Sequence, residues 1–308
     1  MSIPPAGVPA TSPVVVTGST GALGGRVARL LQEAGVPLRL IVRDPARAPE
    51  IAGAEVAVAA YSDTTSLEAA LAGARLVFMV SAAENADRLA VHRSFIDAAR
   101  AAGVEHIVYT SFFGAAPDAT FTLARDHFVT ENLIREAGLG HTFLRDNLYT
   151  DFLPMLAGPD GVIRGPAGSG RVASVTRDDV AESATRVLLD RLGSPDAHAG
   201  TTYELTGPEA LGLDEVAAIV TEARERAGAG SDSASDSAEG PVTYLDETLA
   251  EAYASRAAYD APQWQLDAWV STYTAIAAGE LARVTSGVEH LTGHPPRSLR
   301  DFLGLTDA

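Results

Sequence analysis

Cysteine is absent from the 308 residues, and so is lysine. The first absence excludes disulfides, thiolate metal sites and cysteine nucleophiles. It fits a cytoplasmic protein, which is the expected location. The second means that all 23 basic residues are arginine, so no side-chain amine serves any reaction. No apolar run reaches the length of a membrane span. The first dozen residues, rich in Pro, Ala and Ser, lack the basic and apolar regions of a secretory signal. Residues 1–12 therefore read as a disordered arm. Positive charge is scarce: 40 acidic against 23 basic residues leave a net charge of −17. Such a surface repels nucleic acid and anionic membrane, so neither is an expected partner. The seven histidines show no metal-ligand spacing, and no metal is expected. His290 and His294 are four apart, but Gly293 and Pro295 predict a loop there.

What is present is concentrated in residues 14–25, VVVTGSTGALGG. Val14 to Val16 make a short buried-strand signal, Gly18, Gly21 and Gly24 follow at spacing three and three, and Arg26 to Leu31 continue in helical style. A strand, a glycine turn and a helix N-terminus together make a seat for a dinucleotide pyrophosphate. The turn needs positive φ, the backbone must approach the phosphate, and the helix must sit close to the strand. Gly18, Ser19, Thr20, Gly21, Leu23 and Gly24 are the cofactor-binding candidates of this segment.

Strand signals at 14–17, 38–42, 55–60, 75–80, 106–111 and 141–145 alternate with helical patterns at 22–34, 65–72, 86–102 and 123–137. That alternation predicts an α/β fold with a doubly wound parallel sheet. The expected organisation is a dinucleotide-binding domain over 13–152 and a smaller, mostly α substrate lobe over 153–308, with 172–190 returning to the sheet. In the second half, 171–175 and 203–206 read as strands, Thr176 caps a helix through Leu189, and 214–227 is an amphipathic helix. Residues 228–240 read as a mobile polar loop and 244–286 as helical. Trp269 and Tyr273, one helical turn apart, read as core packing.

Arg43 follows the second strand, nineteen residues after Gly24. An arginine there suits the 2′-phosphate of NADP(H), and Arg47 reinforces it; Asp44, turned toward a ribose, is the competing reading. Asp63 ends the third strand where a side chain meets the adenine, and Val80 and Ser81 end the fourth, where small residues let the cofactor approach. All these carboxyl ends line one crevice.

The segments VTGSTGALG, LIVRDPARA, VEHIVYTSFFGA, DHFVTENLIREAGLGHTFLRDNLYTDF, SVTRDDVAESATRVL and GHPPRSLRDFL together resemble the atypical short-chain dehydrogenase/reductase superfamily, NmrA-like branch. They span residues 14–303. The block at 126–152 is most similar to triphenylmethane-dye reductases and type-2 quinone oxidoreductases. The resemblance implies a Rossmann-like fold and an NAD(P)H-dependent oxidoreductase. It also implies a Tyr and, four residues later, a Lys as the catalytic pair. Here Leu123 stands where the Tyr would lie and His127 where the Lys would lie, so the pair does not exist. Hydride transfer itself needs the nicotinamide held against an electrophile in a dry pocket rather than an acid. A quinone, a cationic dye or an iminium suits that scheme.

His127 is then a candidate to hold the nicotinamide ribose or deliver a proton, and Ser111 matches the superfamily's serine. Tyr149 is an alternative proton donor, and Asn147 lies at the implied pocket wall. Phe112, Phe113, Phe152 and Met155 are expected to wall a flat aromatic substrate. The competing expectations are a dinucleotide-sensing regulator without catalysis and a pathway-specific tailoring reductase. The sequence leaves the oligomeric state open between monomer and homodimer.

Overall fold

The computed structural model describes residues 12–229 and 240–306. All but Ser12 of the expected arm, and residues 230–239 of the expected loop, lie outside the described residues. The chain begins as β1 (Val14–Val16), α1 (Ala22–Glu33), β2 (Leu38–Val42), β3 (Glu55–Val58), α2 (Thr64–Leu71), β4 (Leu76–Met79), α3 (Arg88–Ala101), β5 (His106–Phe112), α4 (Thr122–Glu136) and β6 (Gly140–Asp146). It continues through β7 (Val162–Gly165), β8 (Arg171–Val172), α5 (Arg177–Gly193), β9 (Thr201–Leu205), β10 (Leu211–Gly212), α6 (Leu213–Ala229) and β11 (Thr243–Asp246). α7 (Leu249–Arg256), α8 (Gln263–Ala277), α9 (Gly287–Thr292) and α10 (Leu299–Phe302) close it.

Seven strands form one parallel sheet in the order β3-β2-β1-β4-β5-β6-β9. Val14, Val15 and Val16 are all fully buried, as strands covered on both faces require. One face packs Val27 and Leu31 of α1, Val180 and Ala184 of α5, and Val288 of α9. The other packs Leu67 of α2, Phe95 of α3 and Ile134 of α4. The strand order reverses between β1 and β4, and a crevice opens beyond their carboxyl ends, where a sheet of this topology takes its ligand.

Several second-half expectations are corrected. Residues 244–286 are not one helical run. β11 pairs in parallel with the unanticipated β7, and the chain then turns through Asp260 at φ +48 before α8. Pro262 precedes α8 because proline cannot continue a helix interior. The strand expected over 171–175 pairs at Arg171 and Val172 with β10, and Val175 forms an isolated parallel bridge with Tyr149. Val175 N–H donates to Leu148 O and Thr150 N–H to Val175 O, which seam the second half onto the first. His290 lies in α9 rather than in a loop, and Gly293 at φ +81 ends that helix.

The last stretch is tied onto α5. Thr176 caps α5 through the Asp179 N–H. The buried Asp179 carboxylate also accepts from the Arg297 backbone N–H at 2.9 Å and from its Nη1 at 2.5 Å. Arg297 Nη2 reaches Glu182 at 2.7 Å, and His294 Nε2 meets the other Glu182 oxygen at 2.6 Å. Among the described residues, Asp179, Glu182 and His294 are a group close enough to share an ion, but the Arg297 guanidinium supplies the positive charge between the two carboxylates.

Candidate active site

Gly18 and Gly24 of the turn are required, each for a separate reason. Gly18 adopts φ +61, and a Cβ there would stand 2.9 Å from Val80 Cβ. Gly21 closes the turn by donating to Gly18 O at 2.9 Å and stands as the N-cap of α1. A Cβ on Gly24 would lie 2.5 Å from Gly18 O, so only glycine lets α1 sit this close to the β1 end. No side chain caps α1, and its first turn carries no acidic residue. Its N–H groups and partial positive charge therefore face the crevice open to an anion. Thr20 lines that crevice. Leu23 is committed to the core, so only its backbone is available to a ligand. Ser19 Oγ is buried without a partner.

The crevice is a cleft of about 560 Å³ running from Arg43 past Gly18 to Ser81 and Asn85. Arg43 is exposed and, among the described residues, has neither a hydrogen bond nor an ion-pair partner. Asp44 does not compete for the ribose: its carboxylate accepts from Ala46 N–H at 3.0 Å and caps the turn at 45–47. Asp63 is likewise a cap, accepting from Ser66 N–H at the start of α2. Tyr61 and Ser62 line the cleft beside it. Tyr61 donates to Val80 O at 3.0 Å, Thr17 Oγ1 accepts from Val80 N–H, and Thr110 Oγ1 accepts from Ser81 N–H. Val80 and Ser81 thus form a fixed wall. A glycine cradle, an uncapped helix N-terminus and an unpaired arginine at the rim fit a phosphorylated dinucleotide.

A second groove, of about 800 Å³, lies in the C-terminal half. The 3₁₀ turn that follows β6 carries Phe152 and Met155 to it, and Tyr259, Trp269 and Tyr273 form the facing wall. Trp269 meets Tyr259 edge-on at 5.7 Å. Tyr273 is packed so tightly on β7 that a Cβ on Gly165 would stand 2.2 Å from its ring. The Trp269–Tyr273 stripe is therefore partly core, as expected, and partly the wall of a groove. The groove's cations are paired, Arg164 with Asp160 and Arg256 with Glu247. Phe112 and Phe113, expected beside the substrate, are instead buried in the core of this half.

A family model described as NAD(P)H-binding matches residues 18–191, more than half of the chain. The chain belongs to this NAD(P)H-binding, NmrA-like family. It is 31% identical over 294 residues to the NAD(P)H azoreductase of Xenophilus azovorans, covering 94% of this chain and 96% of that protein. Its fold matches the Escherichia coli NADPH-dependent quinone oxidoreductase solved with NADPH, with a TM-score of 0.80, 32% identity and coverage of 95% and 99% of the two chains. It also matches the Citrobacter sp. triphenylmethane reductase solved with NADP(H), with a TM-score of 0.78, 30% identity and the same coverage.

Within this family frame, the residues singled out for proton transfer face inward. Ser111 is fully buried on β5 and donates to Glu131 Oε1 at 2.7 Å. Glu131, equally buried, also accepts two hydrogen bonds from Arg145 and one from Arg135. His127 is buried on α4 between Arg88 Nη2, 3.1 Å from its Nε2, and the Tyr109 hydroxyl, 2.9 Å from its Nδ1. A guanidinium only donates, so Nε2 must accept and the ring is neutral with its proton on Nδ1. Burial, then the Arg88 charge, holds its pKa well below the ordinary value. His127 is therefore neutral and keeps its single ring proton on Nδ1, toward the Tyr109 hydroxyl.

Asn147 spends its carboxamide on main chain, Nδ2 donating to Leu281 O and Oδ1 accepting from Leu148 N–H. It is a seam residue rather than a pocket wall. Tyr149 donates to the buried Asp146 carboxylate beneath the Arg177 guanidinium. Burial holds the phenol pKa well above its ordinary value, so Tyr149 is a poor donor to substrate. Burial also pushes Asp146 up to about 7. An unfolded aspartate releases its proton near pH 4, so stability should fall as pH rises from about 4 to about 7. Asp146→Asn should flatten that slope in thermal melts across the window. An unchanged slope would show that Asp146 does not carry it.

Arg88 and His92, which the sequence reading passed over, grip both polar groups of Ala82 in the cleft wall. Arg88 Nε donates to Ala82 O at 3.0 Å, and Ala82 N–H donates to His92 Nε2 at 2.8 Å. His92 Nδ1 then donates to Thr130 Oγ1, which donates to Asp126 O. The signal was there: Arg88 and His92 are one helical turn apart on the face that Phe95 and Ala99 bury.

Proposed function

We propose that the protein is an NAD(P)H-dependent reductase that passes hydride from NADPH to a flat, quinone-like aromatic acceptor. The observation that carries the proposal is the pairing of a dinucleotide cleft marked by Arg43 with an aromatic groove on the chain that continues from β6. The family match and the 31% identity to an NAD(P)H azoreductase support the reductase activity. When bound, the dinucleotide supplies the hydride. The chain's own part is to hold acceptor and nicotinamide together and keep water out. With Ser111, His127 and Tyr149 all engaged internally, no side chain of the expected set is positioned as an acid. An acceptor that delocalises the added charge and takes its proton from solvent only after leaving the dry pocket fits that arrangement. A quinone meets this requirement, and a cationic dye or iminium meets it by neutralisation. The paired cations of the groove favour the uncharged quinone.

Loss of NADPH absorbance with a panel of quinones, cationic dyes and azo dyes tests the proposal. Tight NADPH binding without turnover of any member would leave the non-catalytic, dinucleotide-sensing reading in its place. Trp269→Ala removes the largest aromatic wall of the groove. The KM for quinone should rise roughly tenfold while the KM for NADPH stays unchanged. Equal quinone KM values for the variant and the parent would move the acceptor site elsewhere.

A further inference from the structure

We propose that Arg88 sets the cleft's preference between the two redox forms of the dinucleotide, favouring the reduced form. The inference rests on the reading of the cleft as a dinucleotide site. Arg88 is 4% exposed. Its Nε is spent on Ala82 O and its Nη2 on His127, but Nη1 is buried with no hydrogen-bond partner. The carboxylate facing Nη1, Asp126, stands 3.6 Å away, beyond hydrogen-bond distance. Glu84, on the cleft wall, is the other acidic group close enough to feel Arg88. The two histidines that touch this cluster, His92 and His127, are held neutral by the donors they accept from. Arg88 is thus a buried positive charge whose facing counterion, Asp126, forms an ion pair at 3.6 Å without a hydrogen bond to Nη1.

Its place in the sheet gives that charge a target. Arg43 and the glycine turn mark the adenosine half of the cleft, on the β3-β2-β1 side. Ala82, held by Arg88, lies past the end of β4, on the side of the sheet where the other nucleotide belongs. The oxidised nicotinamide ring carries a positive charge and the reduced ring none. A buried cation nearby raises the free energy of the oxidised complex selectively. The superfamily's lysine would place a charge on α4; here the charge comes from α3 and touches the residue at the lysine position, His127. Arg88 touches neither substrate nor reacting atoms on this reading, so it acts by position and field.

The test is equilibrium titration of NADPH and of NADP⁺, separately, into the full-length protein and two variants. Arg88→Met should lower the ratio Kd(NADP⁺)/Kd(NADPH) by about tenfold. Asp126→Asn removes a facing negative charge and should raise the same ratio. A structural role for Arg88 would weaken both forms alike and leave the ratio where it was; that result overturns the inference. If Arg88→Met does not fold, Asp126→Asn decides alone, and a ratio that falls or stays constant overturns it. If neither form binds the parent protein, the dinucleotide reading fails and the inference falls with it.

Discussion

Arg43→Asp is expected to turn an NADPH-preferring cleft into an NADH-preferring one, with kcat/KM for NADPH falling roughly a hundredfold. Arg43 stands on the rim of the cleft with no partner of its own. Its charge is therefore available to the 2′-phosphate, and a charge-assisted contact of that kind is worth about 1.5–3 kcal/mol. The aspartate adds repulsion against the phosphate and a hydrogen-bond acceptor for the free ribose hydroxyl of NADH. Asp44 already caps its own turn, so it does not mask the change. Because Arg43 holds nothing in the fold, the variant should melt like the parent. Steady-state kinetics with each cofactor measure the switch. An unchanged preference would show that Arg43 does not read the phosphate.

Glu131→Ala should be strongly destabilising. The Glu131 carboxylate is fully buried and accepts from Ser111, twice from Arg145 and once from Arg135. Those bonds hold the Arg145 pKa above its ordinary value. Deleting the carboxylate strands a mostly buried guanidinium and a buried hydroxyl, at a cost of about 3–5 kcal/mol. For a chain of this size the melting temperature should drop by roughly 10 °C. Glu131→Gln keeps one acceptor and should lose less. Thermal unfolding followed by circular dichroism separates the three proteins. A parental melt for the alanine variant would mean that the network contributes nothing.

The sheet was legible because its signals are local. Val14 to Val16 and the glycine turn each declare their element within a few residues, and the six predicted strands all form. The second half hid β7 and β11 because four-residue strands that pair only with each other carry no periodicity long enough to read. At the site, the glycine turn was visible for the same local reason, in the positive φ of Gly18 and the close contact at Gly24. The catalytic candidates were not, because a residue's role depends on its partner. Ser111 and His127 occupy superfamily positions, but Glu131, Tyr109 and Arg88 turn them inward, and those contacts join elements far apart in the sequence. Asp63 and Asp44 sit where a nucleotide carboxylate belongs, and backbone N–H groups claim both first.

The grip of Arg297 on α5 carries a consequence for how the molecule is made. α5 covers the same sheet face as α1, yet Asp179 near its start finds its charged partner only at Arg297, 118 residues later. A ribosome delivering this protein releases the whole nucleotide-binding sheet before that latch exists. The nascent intermediate therefore waits with Asp179 and Glu182 lacking this partner until Arg297 has emerged. A chain stalled before residue 297 should be cut by protease around α5 more readily than the finished one, and a chaperone that holds nascent chains has most to gain in that interval.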